Sequence, residues 1–373
     1  MNAGPGATTS EASTPAGPDS SLVDLQPEHR STPVKFWASI GAVFLLVEAY
    51  VIVAWLTSGQ ATATPRGPTH VPGWMSVLAV LAQAGSVIAG SAVAYAFLIR
   101  PWIKQRRITA DGILVLVFAS VYWQDPLMSY AQNQLTYNSL YVNLGSWAPH
   151  LPGWVAPRAH LVPEPLLLIG PSYIWWAFGF VTLGNLVMRR AQARWPRIGR
   201  VSLILITYGF FALTIFVIES LMMRSGVWSF PSAIRSVTLW GGHYYQLPIY
   251  EVILAAAWWT ALAALRFFKD RRGNTVVERG VESVSTSGRR RTLLRLLALV
   301  GAANSIFLAY NIAYVFIGGL HAGPWPTDIQ YRSYLVDNLC GPGTTYACPG
   351  PGVPIPRPGS AHLAPSGELI PSG

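Results

Sequence analysis

The chain is poor in charge, in cysteine and in lysine. Asp, Glu, Lys and Arg together make up 11% of its 373 residues, less than half of the roughly 25% with which a soluble domain covers its surface. Most of the surface must therefore face something other than water. Two cysteines are too few for a disulfide scaffold or for a Cys-based zinc or iron–sulfur centre. The three lysines, Lys35, Lys104 and Lys269, flank apolar runs instead of lying within them, so a retinal-type Schiff base inside a helical bundle is excluded. None of the seven histidines falls within a long apolar run, which argues against a bundle haem. No HExxH, P-loop, GxSxG or strand-linked GxGxxG pattern suggests proteolysis, ATP use, serine hydrolysis or dinucleotide binding.

What is abundant is apolar sequence, at 51% of residues. Seven runs, at about 36–57, 75–99, 112–131, 166–188, 201–224, 248–268 and 293–317, are each long enough to cross a hydrocarbon core roughly 30 Å thick as a helix. The expected fold is an all-α polytopic bundle of seven transmembrane helices over residues 34–320, in a cell membrane. An odd number of dissimilar spans gives no support for an inverted-repeat transporter. Basic residues set the orientation. With the N-terminus cytoplasmic, 20 of the 26 Lys and Arg side chains fall inside, and the bias alternates at every loop, so an N-in, C-out topology is expected. The net charge of +10 lies in short clusters between spans and forms no stripe, so no nucleic-acid partner is expected.

Residues 1–33, rich in Gly, Pro, Ser and Thr, read as a disordered cytoplasmic tail. The first apolar run starts late and is full length, unlike a signal peptide. Residues 321–373 read as an extracytoplasmic Pro/Gly-rich tail, with little structure expected from about 341 onward. In that compartment Cys340 and Cys348 could close a small disulfide loop, and two free thiols are the alternative.

Ionisable side chains within spans are costly and usually face a bundle interior. Glu48, Asp125, Glu164, Glu219 and Glu251 all lie at mid-span or toward the outer side. Ser129, Tyr130, Asn133, Tyr137 and Asn138 follow Asp125; His243, Tyr245 and Tyr250 precede or flank Glu251; Asn304, Tyr310, Asn311 and Tyr314 belong to the last span. These residues predict an outward-facing acidic pocket with aromatic walls. Local explanations compete. Glu164 and Glu251 could stabilise helix N-termini, Asp125 could serve backbone groups freed at Pro126, Glu219 could pair with Arg224, and Glu48 could make one contact between helices. None of these accounts for five acids favouring one side.

A carboxyl buried among aromatic groups can hold a proton near neutral pH while a second one stays charged. Such a pair can protonate an oxygen and stabilise the cation that follows. Here the segments Trp123-Gln124-Asp125-Pro126-Leu127, Tyr137-Asn138, Asn143-Leu144-Gly145-Ser146-Trp147, Pro163-Glu164-Pro165 and Tyr245-Gln246-Leu247-Pro248-Ile249-Tyr250-Glu251 together resemble the AveC-like spirocyclase family of avermectin-type polyketide biosynthesis, over about residues 36 to 320. The resemblance implies a multi-pass membrane enzyme that closes a dihydroxy-ketone into a spiroketal, with dehydration as a second activity and no metal or organic cofactor. Its partners would be a lipophilic small molecule and membrane lipid. Asp125 is then the lead general acid, Glu251 the base or countercharge and Glu164 a supporting group. Tyr137, Asn138, Asn133, His243, Tyr245, Tyr250, Glu219, Glu48 and Asn311 would line the substrate site. A membrane terpene cyclase and a non-enzymatic lipid or cation binder or transporter are the alternative readings.

Overall fold

The computed structural model describes residues 1, 32–321 and 323–372; residues 2–31 of the expected N-terminal tail lie outside the described residues. From Thr32 onward the chain is one compact and mostly helical unit. The long helices are α1 (Pro33–Thr57), α2 (Gly73–Gln105, with a π-helical stretch at Ala94–Ile99), α3 (Ala110–Ala119), α4 (Ile169–Arg194), α5 (Arg200–Arg224), α6 (Ile249–Phe267) and α7 (Gly288–Leu320).

Among the described residues six helical stretches are long and apolar enough to cross a membrane: α1, α2, α3 with its continuation to Ser129, α5, α6 and α7. They point to a multi-pass membrane protein. A helix, α4, 26 residues long, stands where the remaining span was expected, but Asn185, Arg189, Arg190 and Arg194 lower its apolar content and it is not one of the six. Leu46 and Val53 on α1, Leu81 and Ile88 on α2, Leu205 and Leu213 on α5, and Phe316 on α7 are exposed. Apolar side chains on outer helix faces are expected where the solvent is lipid.

The stretch from Ala110 to Ser129 is far more buried than the other spans and forms the centre of the bundle. α3 ends at Ala119, and the chain continues as a 3-10 helix over Tyr122–Ser129 that contains Pro126. Proline removes a backbone donor and blocks the α-helical register, leaving carbonyls that need partners. α7 supplies them. Asn304 Oδ1 accepts from Trp123 Nε1 at 3.1 Å and from Gln124 Nε2 at 2.7 Å, and Asn311 Nδ2 donates to the Gln124 carbonyl at 3.3 Å. The 3-10 segment and its Asp125 are thereby fixed against α7. α7 also crosses α1 closely, since a Cβ on Gly41 would overlap the Leu297 carbonyl and the Gly301 backbone.

The long segment between Ser129 and α4 folds over one end of the bundle. Its β1 (Thr136–Tyr137) pairs antiparallel with β2 (Trp228–Ser229), with Tyr137 opposite Trp228. Gly226, at φ +73°, makes the left-handed turn from α5 into β2 that a side chain would strain. β3 (Thr238–Leu239) pairs with β4 (Leu247–Pro248), and β4 leads directly into α6. At the opposite end, Arg295 lies against Asn274 (2.8 Å) and Glu282 (3.2 Å).

Beyond about residue 341, where little structure was expected, there are a disulfide and a short hairpin, and the stretch before it is packed. Trp325, Ile329, Tyr334, Leu335 and Leu339 form a buried cluster with Met75 and Val162. Apolar side chains between the prolines and glycines are enough to anchor the segment. Cys340 and Cys348 form a disulfide, β5 (His362–Leu363) pairs with β6 (Leu369–Ile370), and Arg357 Nη1 donates to the Ala131 carbonyl at 2.6 Å.

Candidate active site

Three of the five expected carboxylates, Asp125, Glu219 and Glu251, line one cavity of about 120 Å³ between the 3-10 segment and α4, α5, α6 and α7. Each reaches it by a different local device. Asp125 is set by the 3-10 turn, Glu219 lies on α5 near its end, and Glu251 is in the first turn of α6, directly after Pro248. The β1–β2 ladder aims two partners inward. Tyr137 Oη donates to Asp125 Oδ2 at 2.7 Å, and Trp228 Nε1 donates to Glu219 Oε2 at 3.0 Å.

Asp125 accepts a second hydroxyl, from Tyr173 on α4, at 2.6 Å to Oδ1. Behind it lies Glu164, close enough for the two carboxyls to share a hydrogen bond. Ser146 Oγ donates to Glu164 Oε1 at 3.2 Å, whereas Oε2 has no donor among the described residues. Ionised carboxylates are acceptors only, so two of them buried as neighbours favour retention of a proton. Glu164 is 1% exposed. Burial, and then the neighbouring Asp125, push its carboxyl well above the usual carboxylate range. Tyr137 is likewise kept as a hydroxyl by burial and by the Asp125 and Glu164 carboxyls, so it remains a donor.

Across the cavity Glu251 is 3% exposed and accepts from Tyr310 Oη, at 2.9 Å to Oε2, and from Tyr314 Oη. Both tyrosines lie on α7 at i and i+4, the spacing that places side chains on one face. Aromatic rings join the two carboxyl centres. Tyr173 meets Phe307 at 5.9 Å, Phe307 stacks on Trp258 at 4.4 Å and on Tyr310 at 5.5 Å, and Trp258 also lines the cavity. The negative faces of such rings attract a cation.

The other expected site residues are placed elsewhere. Glu48 is on α1 and does not line this cavity. Asn138 ties loops together, donating to the Gly226 carbonyl at 2.9 Å and accepting from Leu140 N at 2.9 Å. Asn133 is buried and takes a bond from Ser232 through its backbone carbonyl at 2.7 Å. Asn311 serves the 3-10 segment. His243 is exposed and stacks on Tyr245 at 4.9 Å, and Arg224 lies over the same Tyr245 ring at 4.4 Å, so Arg224 is engaged there and not with Glu219. Tyr250 packs against Tyr314 at 5.7 Å and lies outside the cavity lining.

Tyr310 and Tyr314, expected among the pocket residues of the last span, complete the site together with Tyr173, Trp228 and Ser146, which had not been candidates for it. The i, i+4 pair of tyrosines on α7 carried a readable signal; Tyr173, Trp228 and Ser146 carried none, because strand pairing and loop packing bring them in. Among the described residues no group of three or more His, Cys, Asp and Glu side chains could hold a metal ion.

The geometry is that of two buried carboxyl centres flanking an aromatic wall. The family model described as Spirocyclase AveC-like matches residues 105–335, more than half of the chain. Asp125, Glu164, Glu219 and Glu251 all fall inside the match, and Glu48 does not. No curated protein and no solved structure matches the chain.

Proposed function

The chain belongs to the AveC-like spirocyclase family, a membership that implies a spiroketal-forming cyclase, and from that premise we propose that the Asp125–Glu251 cavity closes a lipophilic dihydroxy-ketone into a spiroketal with loss of one water. The observation that carries the reading is the cavity itself, which Asp125, backed by Glu164, and Glu251, each held by tyrosine hydroxyls, line together with aromatic rings.

The first hydroxyl of the substrate adds to the ketone to give a hemiketal. Asp125, sharing a proton with Glu164, protonates the hemiketal hydroxyl; the C–O bond breaks, water leaves and an oxocarbenium ion remains. Phe307, Trp258 and Tyr310 face that cation. The second hydroxyl attacks the same carbon, and its proton passes to Glu251, the second new C–O bond of the sequence forming as the cation is quenched. The proton returns to the Asp125–Glu164 pair through the released water. Holding both hydroxyls against one carbon supplies the orientation that such closures need, and excluding bulk water keeps the cation from reverting. A second elimination of water from the spiroketal would draw on the same donor and acceptor.

The same reading places the protein in a cell membrane with seven spans, N-terminus in and C-terminus out. The alternating basic residues support this, as does α4, whose 26 residues extend about 39 Å at 1.5 Å per residue. Enriched membranes given a dihydroxy-ketone should yield a product lighter by one water, and Asp125→Asn should abolish it while leaving the protein in the membrane. Consumption of a prenylated epoxide in its place would favour terpene cyclisation. Saturable binding with no change of mass would leave a binding protein.

A further inference from the structure

The acidic cavity, at about 120 Å³, is well below the roughly 300 to 1,000 Å³ that enclose drug-sized ligands. It can take a reacting centre but not the remainder of a lipophilic molecule. A second space adjoins it. A groove of about 540 Å³ runs between α2, α4 and α5, and Ile169, Ser172, Trp176 and Trp228 line both spaces.

We propose that this groove is a lateral binding site for the apolar chain of the substrate, which lies there among α2, α4 and α5 while the oxygenated end reaches the carboxyls past Trp176. The proposal rests on the spirocyclase reading and adds to it the class of substrate, one with a long apolar arm, and a route from the lipid. The lining supports an alkyl occupant. Gly85, Ala89, Gly179, Phe180, Ile218 and Met222 carry no polar side-chain group, whereas the pockets around Asp111, Lys269 and Arg295 and around Arg189 and Arg266 are charged. The polar groups in the groove are already used. Trp175 Nε1 donates to Ser86 Oγ at 3.0 Å, and Ser86 Oγ donates to the Leu168 carbonyl at 2.6 Å.

The junction differs. Trp176 Nε1 is buried without a partner among the described residues, a donor left over where the apolar arm would give way to oxygens. The groove walls are held apart by specific packing. α2 meets α4 closely where Gly90 faces Pro171, since a Cβ on Gly90 would come within 2.9 Å of the proline ring. Gly85 and Gly179 are exposed and a Cβ on either meets nothing within 4 Å, so that stretch stays open.

The test uses the full chain in membranes with two dihydroxy-ketones, one with a long alkyl arm and one truncated to the two ring-forming segments. Gly85→Phe and Gly179→Phe fill the groove without a backbone clash. The ratio of kcat/KM for the long substrate to that for the short one is expected to fall at least tenfold in each variant; an unchanged ratio in both would overturn the proposal. A long-arm dihydroxy-ketone with a terminal diazirine gives a readout that needs no turnover. Photolabelling should concentrate on peptides containing Ala82–Ala89, Gly179–Phe180 or Ile218–Met222 and drop in Gly179→Phe, whereas even labelling of all lipid-facing helices sinks it. If the wild-type protein converts neither ketone, the spirocyclase reading fails, and the labelling pattern alone decides the groove.

Discussion

Asp125 and Glu251 look into the same cavity, and each accepts two tyrosine hydroxyls, yet the two centres are not equivalent. Behind Asp125 stands a second buried carboxyl, Glu164, whose proton is held more tightly by burial and by the Asp125 charge, and a pair of acceptor-only groups with no cationic partner among the described residues favours retention of a proton. Glu251 is held by two hydroxyls and shares its cavity with Glu219, and the proposed scheme gives it the accepting part. In the proposed scheme similar first partners take opposite roles, and the carboxyl behind Asp125, Glu164, is not part of the cavity lining whereas Glu219 beside Glu251 is.

The largest expected effect is at the donor. Asp125→Asn should lower kcat by about 10²- to 10⁴-fold, the range of a positioned general acid, and a variant that retains wild-type turnover of a dihydroxy-ketone would remove the donor from the scheme. Glu251→Gln comes next, with a loss of about 100-fold in kcat; recovery of hemiketal-like intermediates in that variant, but not in Asp125→Asn, would fix the order of the two steps. Removing single hydroxyls should cost less. Tyr173→Phe and Tyr310→Phe are each expected to lose about tenfold, in keeping with one hydrogen bond to a charged group, and Tyr137→Phe should resemble Tyr173→Phe if both orient Asp125.

Glu164 sharpens the contrast through pH. A carboxyl whose value in the folded protein is raised binds its proton more tightly there than in the unfolded chain, where it titrates near about 4.3. Its contribution to stability is full below that value and is lost as pH rises through the raised one. The melting temperature in detergent should therefore decline with rising pH, and Glu164→Gln should flatten the decline. Asp337, buried in the C-terminal segment and raised by burial, adds a slope of the same sign, so the double variant Glu164→Gln with Asp337→Asn separates the two. The smallest effect is expected at His243, exposed and outside the cavity: His243→Ala should change kcat/KM less than about twofold, within the few tenths of a kcal/mol typical of surface substitutions.

Much of this site was legible along the chain, but unevenly. Asp125, Glu219 and Glu251 stood out because an acid inside an apolar run is costly without a purpose, and all three line the cavity. Glu48 satisfied the same criterion and lies elsewhere. A hydropathy pattern gives depth in the membrane but not which way a helix is turned, and α1 packs on α7 away from the cavity. Asn133, Asn138 and Asn311 are polar and near the right level, yet they satisfy loop and 3-10 backbone groups. Polarity in a buried segment signals an unmet hydrogen bond as often as chemistry, and Pro126 creates several such needs nearby.

From the amino-acid order alone came the apolar helices, the alternation of basic loops and the set of acids worth suspecting, because the cost of placing a charge or a bare backbone group in lipid is paid locally. The pairing of those acids was decided in three dimensions. Tyr137 lies 12 residues from Asp125 and Tyr310 lies 59 from Glu251, and β1–β2 pairing, the proline-broken 3-10 turn and the seating of α7 bring each donor to its carboxyl. Contacts of that kind depend on how separate helices rotate and pack against one another, which no local pattern records.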